Sequence, residues 1–158
     1  MFERFTREAR RVVTQAVEEA HHRSDARVGT DHLLIGAVDT GAGRQTGLSP
    51  AAVRGELERI DQEALAAVGV DPRLIATTPG AHPRAHRHLP FTGASKDILK
   101  QSLREAIAMN HRHIGAEHIL LALTTLPEPD RATQALRGLG IDPAALRQSL
   151  LETLHRAS

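Results

Sequence analysis

The chain of 158 residues contains nearly the same ten-residue segment twice. VGTDHLLIGA occupies residues 28–37 and IGAEHILLAL occupies residues 114–123. A shift of 86 residues aligns the surrounding sequence without a gap, and eight positions are then identical. The identical pairs are Phe5 and Phe91, Thr6 and Thr92, Gln15 and Gln101, Glu19 and Glu105, Ala20 and Ala106, Gly29 and Gly115, His32 and His118, and Leu34 and Leu120. This similarity indicates a tandem duplication, so the fold must accommodate two equivalent halves.

Each copy has the pattern of two successive helices. Small and apolar residues recur at the 3.6-residue period that places them on one helix face. They are Ala9, Val12, Val13, Ala16, Val17 and Ala20 in the first copy and Ser95, Ile98, Leu99, Ser102, Leu103 and Ala106 in the second. Thr6 and Thr92 stand where a side-chain oxygen caps the first turn. Gly29 and Gly115 precede the second helix, which Thr30 is predicted to cap in the first copy.

A glycine followed two residues later by serine or aspartate and then by proline occurs at residues 47–50, 69–72 and 140–143. The glycine ends one helix, the polar residue caps the next, and proline fits its first position. Aromatic residues make up only 2% of the chain, which favours closely packed helices over a sheet. We therefore predict an all-α protein, a pseudo-two-fold tandem repeat of a short helical bundle.

Domain boundaries follow from the repeat and from a proline-containing stretch. Residues 77–90 contain three prolines and no periodicity, which is typical of a linker. We assign repeat 1 to residues 1–76 and repeat 2 to residues 91–158, and we expect the two to pack as one domain.

Composition excludes several classes of protein. Lysine and arginine number 20 against 19 acids, so no strong field attracts nucleic acid, and tyrosine and tryptophan are absent as stacking platforms. The charged opening is unlike a signal peptide, and no apolar stretch approaches the ~18 residues of a membrane span. The chain has no cysteine, as expected in a reducing compartment. We expect a cytoplasmic protein that binds neither membrane nor nucleic acid.

An acid precedes a histidine in both copies, which leaves two interpretations open. Asp31-His32 and Glu117-His118 could perform acid–base catalysis, as in a small hydrolase, but no nucleophile recurs at a fixed spacing beside both. The favoured interpretation is structural, with both histidines packing and forming hydrogen bonds against the sister helix.

A separate histidine cluster raises the question of metal binding. The stretch HPRAHRH places His82, His86 and His88 beside two arginines, which would repel a cation. We interpret it as a solvated basic linker and predict no metal site and no cofactor.

Five segments, in this order, resemble the Clp N-terminal domain, the double-repeat module at the front of ClpC-type AAA+ unfoldases: MFERFTREARRVV, GTDHLL, PFTGASKDIL, GAEHIL and LGIDPAALRQSLLETL. The resemblance spans nearly the whole chain. The phosphate loop of the family's ATPase, G-x-x-x-x-G-K-[ST], does not occur. We therefore expect a stand-alone N-domain without ATPase modules, with extra helical sequence at residues 40–76 relative to the family.

The resemblance implies a non-catalytic recognition module with one phosphoarginine site in each repeat. Site one would combine Thr6 with Asp31, and site two would combine Thr92 with Glu117. Helix N-termini offer amides and positive potential to a phosphate, while a carboxylate can bind a guanidinium group. The family usually has glutamate in both copies, so the shorter Asp31 predicts a weaker site one.

Actinobacterial relatives of this family also bind cyclic peptide antibiotics near the starts of the first helices. The matching positions are Phe2, Phe91 and Lys96, whereas Phe5 is assigned to the core.

Within the resemblance two roles stay open, an adaptor or regulator that contacts a ClpC-type ATPase, and a decoy that sequesters marked proteins or antibiotics. The alternatives from other classes are the small hydrolase and a DNA-binding regulator, which would show salt-dependent affinity for duplex DNA.

Overall fold

The computed structural model describes residues 2–74 and 88–157, without the side chains of Phe2 and Pro72. Eight α-helices lie in these residues, and they contain no β-strand beyond two isolated bridges. The helices are α1 Arg7–His22, α2 Thr30–Val38, α3 Gly41–Arg44, α4 Pro50–Ala67, α5 Gly93–Ala108, α6 Ala116–Leu123, α7 Arg131–Gly138 and α8 Pro143–Ala157. The predicted all-α fold class is confirmed.

The first helix of each repeat begins where the sequence predicts. Thr6 Oγ1 accepts a hydrogen bond from the Ala9 amide at 3.1 Å, and Thr92 Oγ1 accepts one from the Ser95 amide at 3.1 Å. Each cap satisfies one of the amides that a helix start leaves without an internal partner. The faces predicted from the 3.6-residue period point into a single hydrophobic core.

Histidine, and not threonine, caps the second helix of each repeat. The Gly29 amide donates to His32 Nδ1 at 2.9 Å, and the Gly115 amide donates to His118 Nδ1 at 2.8 Å. The prediction that Thr30 caps α2 is wrong, because Thr30 is the first helical residue and its hydroxyl donates to Asp130 at 2.8 Å.

The third and fourth helices of the two repeats correspond. The turns before α4 and α8 contain Gly47 and Gly140 with φ of +78° and +79°, a conformation that glycine adopts without strain. The caps Ser49 and Asp142 accept bonds from amides three residues later, at 3.1 Å in both cases. Helices α3 and α4 follow α2 as α7 and α8 follow α6. The helical part of residues 40–76 is therefore the counterpart of α7 and α8, and the expectation of extra sequence there relative to the family stays a prediction.

The repeats exchange two short backbone bridges. Phe5 pairs with Ile114, and Val28 pairs with Phe91, both in the parallel sense. Each bridge joins the segment before the first helix of one repeat to the segment before the second helix of the other. The starts of α1 and α6 therefore lie together, as do the starts of α5 and α2.

Part of the predicted linker lies outside the described residues, namely residues 77–87 with His82 and His86. Of the remainder, His88 is exposed and Leu89 packs against the core. The helices that the structure describes include none with the length and apolar character to cross a bilayer.

Candidate functional site

Thr6 and Asp31 lie at opposite ends of α1. This helix has 16 residues and is about 24 Å long. Asp31 Oδ2 is 3.9 Å from a guanidinium nitrogen of Arg23, the residue that caps the far end of α1. The predicted combination of Thr6 with Asp31 in one site is therefore wrong.

The same holds in repeat 2, because Thr92 precedes α5 and Glu117 follows it across the turn. His111, at the far end of α5, contacts His118, the neighbour of Glu117, with 2.9 Å between ring nitrogens. The predicted combination of Thr92 with Glu117 is therefore also wrong, because the length of α5 separates the two residues.

The bridges bring the predicted residues together in the other combination. The Thr6 amide donates to the Ile114 carbonyl at 2.9 Å, which places the start of α1 beside the chain entering α6 and Glu117. We call this region, with Thr6 and Glu117, the α1–α6 site. The Thr92 amide donates to the Val28 carbonyl at 2.9 Å and places the start of α5 beside the chain entering α2. We call that region, with Thr92 and Asp31, the α5–α2 site.

The α1–α6 site offers both hydrogen-bond donors and a negative charge. The amides of Arg7 and Glu8, in the first turn of α1, have no acceptor inside the helix. The Glu117 side chain is 27% exposed, and no lysine or arginine of the described residues forms an ion pair with it. Its carboxylate lies over Gly115, in space that a Cβ atom would occupy. The site therefore places an unneutralised carboxylate beside a positively polarised helix start.

His118 holds this arrangement in place but does not neutralise it. Its Nδ1 lies 3.6 Å from Glu117 Oε1 but accepts the hydrogen bond of the Gly115 amide, so it carries no proton towards the carboxylate. Burial lowers the pKa of His118 below 6.5, and the neighbouring His111 acts in the same direction, outweighing the carboxylate of Glu117. The ring is neutral at physiological pH.

Both rings have a structural role in the second-helix cap. Besides its bond to the capping amide, His32 Nε2 contacts Asp25 Oδ2 at 2.7 Å, and His118 Nε2 contacts His111 Nδ1 at 2.9 Å. Each ring thus has both nitrogens engaged. This agrees with the structural interpretation of the duplicated histidines, although the partners lie in the loop before the same helix and not on the sister helix.

The α5–α2 site differs because its acid is already paired. The Asp31 side chain is 6% exposed and accepts a hydrogen bond from Arg131 Nε at 3.0 Å. Arg131 is also held by Asp61 of α4, at 2.7 Å from Nη1. Its pKa is raised by the hydrogen bond with Asp61 and, against the opposing effect of burial, by Asp31. The guanidinium group is therefore a permanent cation beside Asp31.

Sequence reasoning missed Arg131 and Asp61. They lie 100 and 30 residues from Asp31 along the chain, and neither has an equivalent in the other repeat that the periodicity could reveal. Only the packing of α7 and α4 against the start of α2 brings them together.

The predicted antibiotic surface is partly described. Phe91 is half-buried against the core, and Lys96 is exposed in the first turn of α5. The side chain of Phe2 lies outside the described residues. Phe5 is buried, as predicted. Phe91 and Lys96 thus share the start of α5, beside the α5–α2 site.

Metal ligands are not clustered in the part of the chain that the structure describes. No group of three or more histidine, aspartate or glutamate side chains in residues 2–74 and 88–157 has the arrangement to hold an ion.

Comparison with known families identifies this architecture. Residues 90–158 match the sequence model of the Clp repeat (R) N-terminal domain. Repeat 2 therefore matches the Clp N-terminal repeat over its whole length. Repeat 1 resembles repeat 2 in the eight identities of the duplication and in the order of its four helices.

Relatives of the Clp N-terminal repeat align over almost the whole chain. An uncharacterized protein of Mycobacterium tuberculosis is 32% identical over 153 residues, which are 97% of this chain and 54% of that protein. The chaperone protein ClpC1 from chloroplasts of Arabidopsis thaliana is 32% identical over 157 residues, 96% of this chain and 15% of its own length. The chain thus spans about half the length of the mycobacterial relative.

Solved structures show that the fold is that of Clp N-terminal domains. The N-terminal domain of the chaperone ClpD from Arabidopsis thaliana matches with a TM-score of 0.73 and 24% identity, over 98% of this chain and 97% of that one. The Hsp104 N-terminal domain from Candida albicans matches with a TM-score of 0.61 and 16% identity, over 94% and 90%.

Proposed function

We propose that this chain is a non-catalytic recognition module of the Clp proteolysis system that binds phosphoarginine-marked proteins. Family membership supports a substrate-binding or adaptor role, since relatives include Clp ATPase subunits and chaperones. The observation that carries the proposal is the α1–α6 site, where the chain that enters α6 is hydrogen-bonded to the start of α1 and Glu117 has no lysine or arginine partner among the described residues.

Phosphoarginine has charges that complement this site. Its phosphate is anionic and its guanidinium group donates several hydrogen bonds in one plane. The phosphate oxygens would accept hydrogen bonds from the amides of Arg7 and Glu8, where the helix dipole favours negative charge. The Thr6 hydroxyl would add a donor, and Glu117 would accept the guanidinium N–H groups.

Calorimetric titration with phosphoarginine tests the proposal. We expect Glu117→Gln to weaken binding by about 10- to 150-fold, because hydrogen bonds to a charged group are worth ~1.5–3 kcal/mol. Glu152→Gln is the matched control, since Glu152 is an exposed acid of α8 that contacts only Gln148 among the described residues. Absence of heat with the unmodified chain would refute the proposal.

Two roles are compatible with such binding, and one measurement separates them. An adaptor or regulator would contact a ClpC-type ATPase and deliver marked proteins to it. A decoy would bind marked proteins without the ATPase. We propose the adaptor role, because the relatives of known name carry this fold within Clp ATPase subunits. Failure of the tagged chain to retain a purified ClpC-type ATPase, with or without a phosphoarginyl protein, would favour the decoy.

Cyclic peptide antibiotics are a second proposed ligand class, at the start of α5. The observation in favour is that half-buried Phe91 directly precedes Thr92, the cap of α5, and that exposed Lys96 lies in the first turn of this helix. An apolar ring would pack on the phenylalanine edge. We expect Lys96→Gln to weaken binding of such a peptide while phosphoarginine binding at Glu117 is unchanged, and equal affinities of the two proteins for the peptide would contradict this assignment.

A further inference from the structure

The two acids that the duplication places at equivalent positions have different surroundings. Asp31 has a 6% exposed side chain in contact with Arg131, and Glu117 has a 27% exposed side chain without a cationic partner in the described residues. A carboxylate that already accepts a guanidinium N–H is less available to another guanidinium group. Arg131 presents to Asp31 the same chemical group that phosphoarginine would present to Glu117.

Arg131 is held at this position by three helices. It is the first residue of α7, and the cap of that helix, Asp130, accepts a hydrogen bond from Thr30 of α2 at 2.8 Å. Asp61 of α4 accepts two hydrogen bonds from the Arg131 guanidinium, at 2.7 and 3.3 Å. An arginine fixed by the Asp61 carboxylate and by its own helix start loses little further entropy in contacting Asp31.

The other repeat shows what happens without this arginine. Helix α3 packs on α6 as α7 packs on α2. The first residue of α3, directly after its cap Thr40, is Gly41, which corresponds to Arg131 in α7. Glycine supplies no cationic side chain there, and Glu117 has no lysine or arginine partner among the described residues. The difference between the sites therefore lies at the start of the third helix and at Arg23, which has a guanidinium nitrogen 3.9 Å from Asp31 and aligns with Met109 in repeat 2.

We propose that Arg131 is a built-in occupant of the α5–α2 site, so that the chain binds one phosphoarginine, at Glu117, and not two. This inference rests on the proposed function, because it assigns specificity within the same pair of sites. Arg131 is a specificity-determining residue that acts by occupying the Asp31 carboxylate.

Stoichiometry measured by calorimetry with free phosphoarginine tests the inference. The unmodified chain should bind one ligand, Asp31→Asn should leave this binding unchanged, and Glu117→Gln should weaken it by about 10- to 150-fold. Arg131→Met should bind two ligands, because the methionine stem fills the space without a charge and Arg23, 3.9 Å from Asp31, keeps its closer contact with Asp61 at 2.9 Å. The double variant with Arg131→Met and Asp31→Asn should return to one, a result that a purely structural role for Arg131 would not produce.

The outcomes separate this inference from the proposed function. Two ligands on the unmodified chain, or one ligand on folded Arg131→Met, would overturn the inference and leave the proposed function standing. No heat with either protein would refute both. If circular dichroism shows that Arg131→Met does not fold, the remaining variants still decide, since loss of binding in Asp31→Asn would overturn the inference and unchanged binding would support it.

Discussion

An ion pair that occurs once in each repeat gives a stability prediction with its own internal control. Arg147 of α8 donates to both oxygens of Glu105 in α5 at 2.9 Å, and Arg54 of α4 donates to both oxygens of Glu19 in α1 at 2.9 and 3.0 Å. The acids are both buried, but the Arg147 side chain is 33% exposed and that of Arg54 is 50% exposed. The pair in repeat 2 is therefore less screened by water.

Removal of the arginine should cost more in repeat 2 than in repeat 1. Arg147→Ala leaves the Glu105 carboxylate buried with only the Gln101 amide, at 3.1 Å, as a side-chain donor. Breaking a buried pair on one side typically costs ~3–5 kcal/mol, and the partial exposure of Arg147 places our expectation at about 3 kcal/mol. For Arg54→Ala, we expect about 1–2 kcal/mol because solvent reaches half of the arginine.

The loss should depend on pH in a defined direction. Burial raises the pKa of Glu105, but hydrogen bonds from Arg147 and Gln101 lower it by more, and the net result is a pKa below the unfolded-state value of about 4.5. The stability from this pair is present above that value and is lost as the pH falls through the lower, folded-state pKa. In Arg147→Ala, burial dominates and the pKa of Glu105 rises. The difference between the two proteins should therefore shrink as the pH approaches about 4.5.

Urea denaturation followed by circular dichroism measures both effects. With a slope of ~2 kcal/mol/M, a loss of about 3 kcal/mol lowers the midpoint by about 1.5 M at neutral pH. Arg54→Ala, measured in parallel, should shift it by less than 1 M. Equal shifts for the two variants, or a shift for Arg147→Ala that does not decrease towards acidic pH, would refute the reasoning.

Three other predictions follow from close contacts and burial. Gly115→Ala places a Cβ atom where the Glu117 carboxylate lies, so phosphoarginine affinity should fall about tenfold with little change in melting temperature, and calorimetry with thermal melts checks both. Gly36→Ala puts a Cβ 2.6 Å from the Val12 carbonyl oxygen, which should cost ~1–3 kcal/mol in urea unfolding, and an unchanged midpoint would contradict this packing. Because burial lowers the pKa of His118, the stability that its neutral ring contributes is fully present above the unfolded-state pKa of 6.5 and decreases below that pH. Thermal melts of His118→Gln at several pH values should lack this part of the pH dependence.

Local features of the fold could be predicted because each depends on residues near in sequence. The caps at Thr6 and Thr92 and the proline starts of α4 and α8 follow from helix geometry alone. The same preference for threonine at a helix start predicts Thr30 as the cap of α2, but the His32 ring accepts the hydrogen bond of the Gly29 amide instead. A histidine three residues into a helix is a signal that could have been used, since it recurs in both repeats.

The exchange between repeats could not be predicted from these patterns. The bridge between Phe5 and Ile114 consists of backbone hydrogen bonds, for which side chains give no signature. The duplication suggested two independent sites, each within one copy, and the length of α1 excludes this because it separates Thr6 from Asp31. The predicted pairing within each copy therefore disagrees with the backbone bridges, which join the two repeats.

The exchange has a consequence for how duplicated sites diverge. Each site takes its helix start from one repeat and its acid from the other, so a change within one repeat can alter one site while the residue that this repeat supplies to the other site is kept. Arg131 is such a change, because α7 contacts the acid of repeat 1 and leaves Glu117 of its own repeat untouched. The Asp31 side chain is one methylene shorter than that of Glu117, which fits the same direction, since an acid with an internal arginine partner does not have to reach an external one. Under our proposal, the duplicated fold keeps equivalent helices in both repeats while one of its two sites binds phosphoarginine.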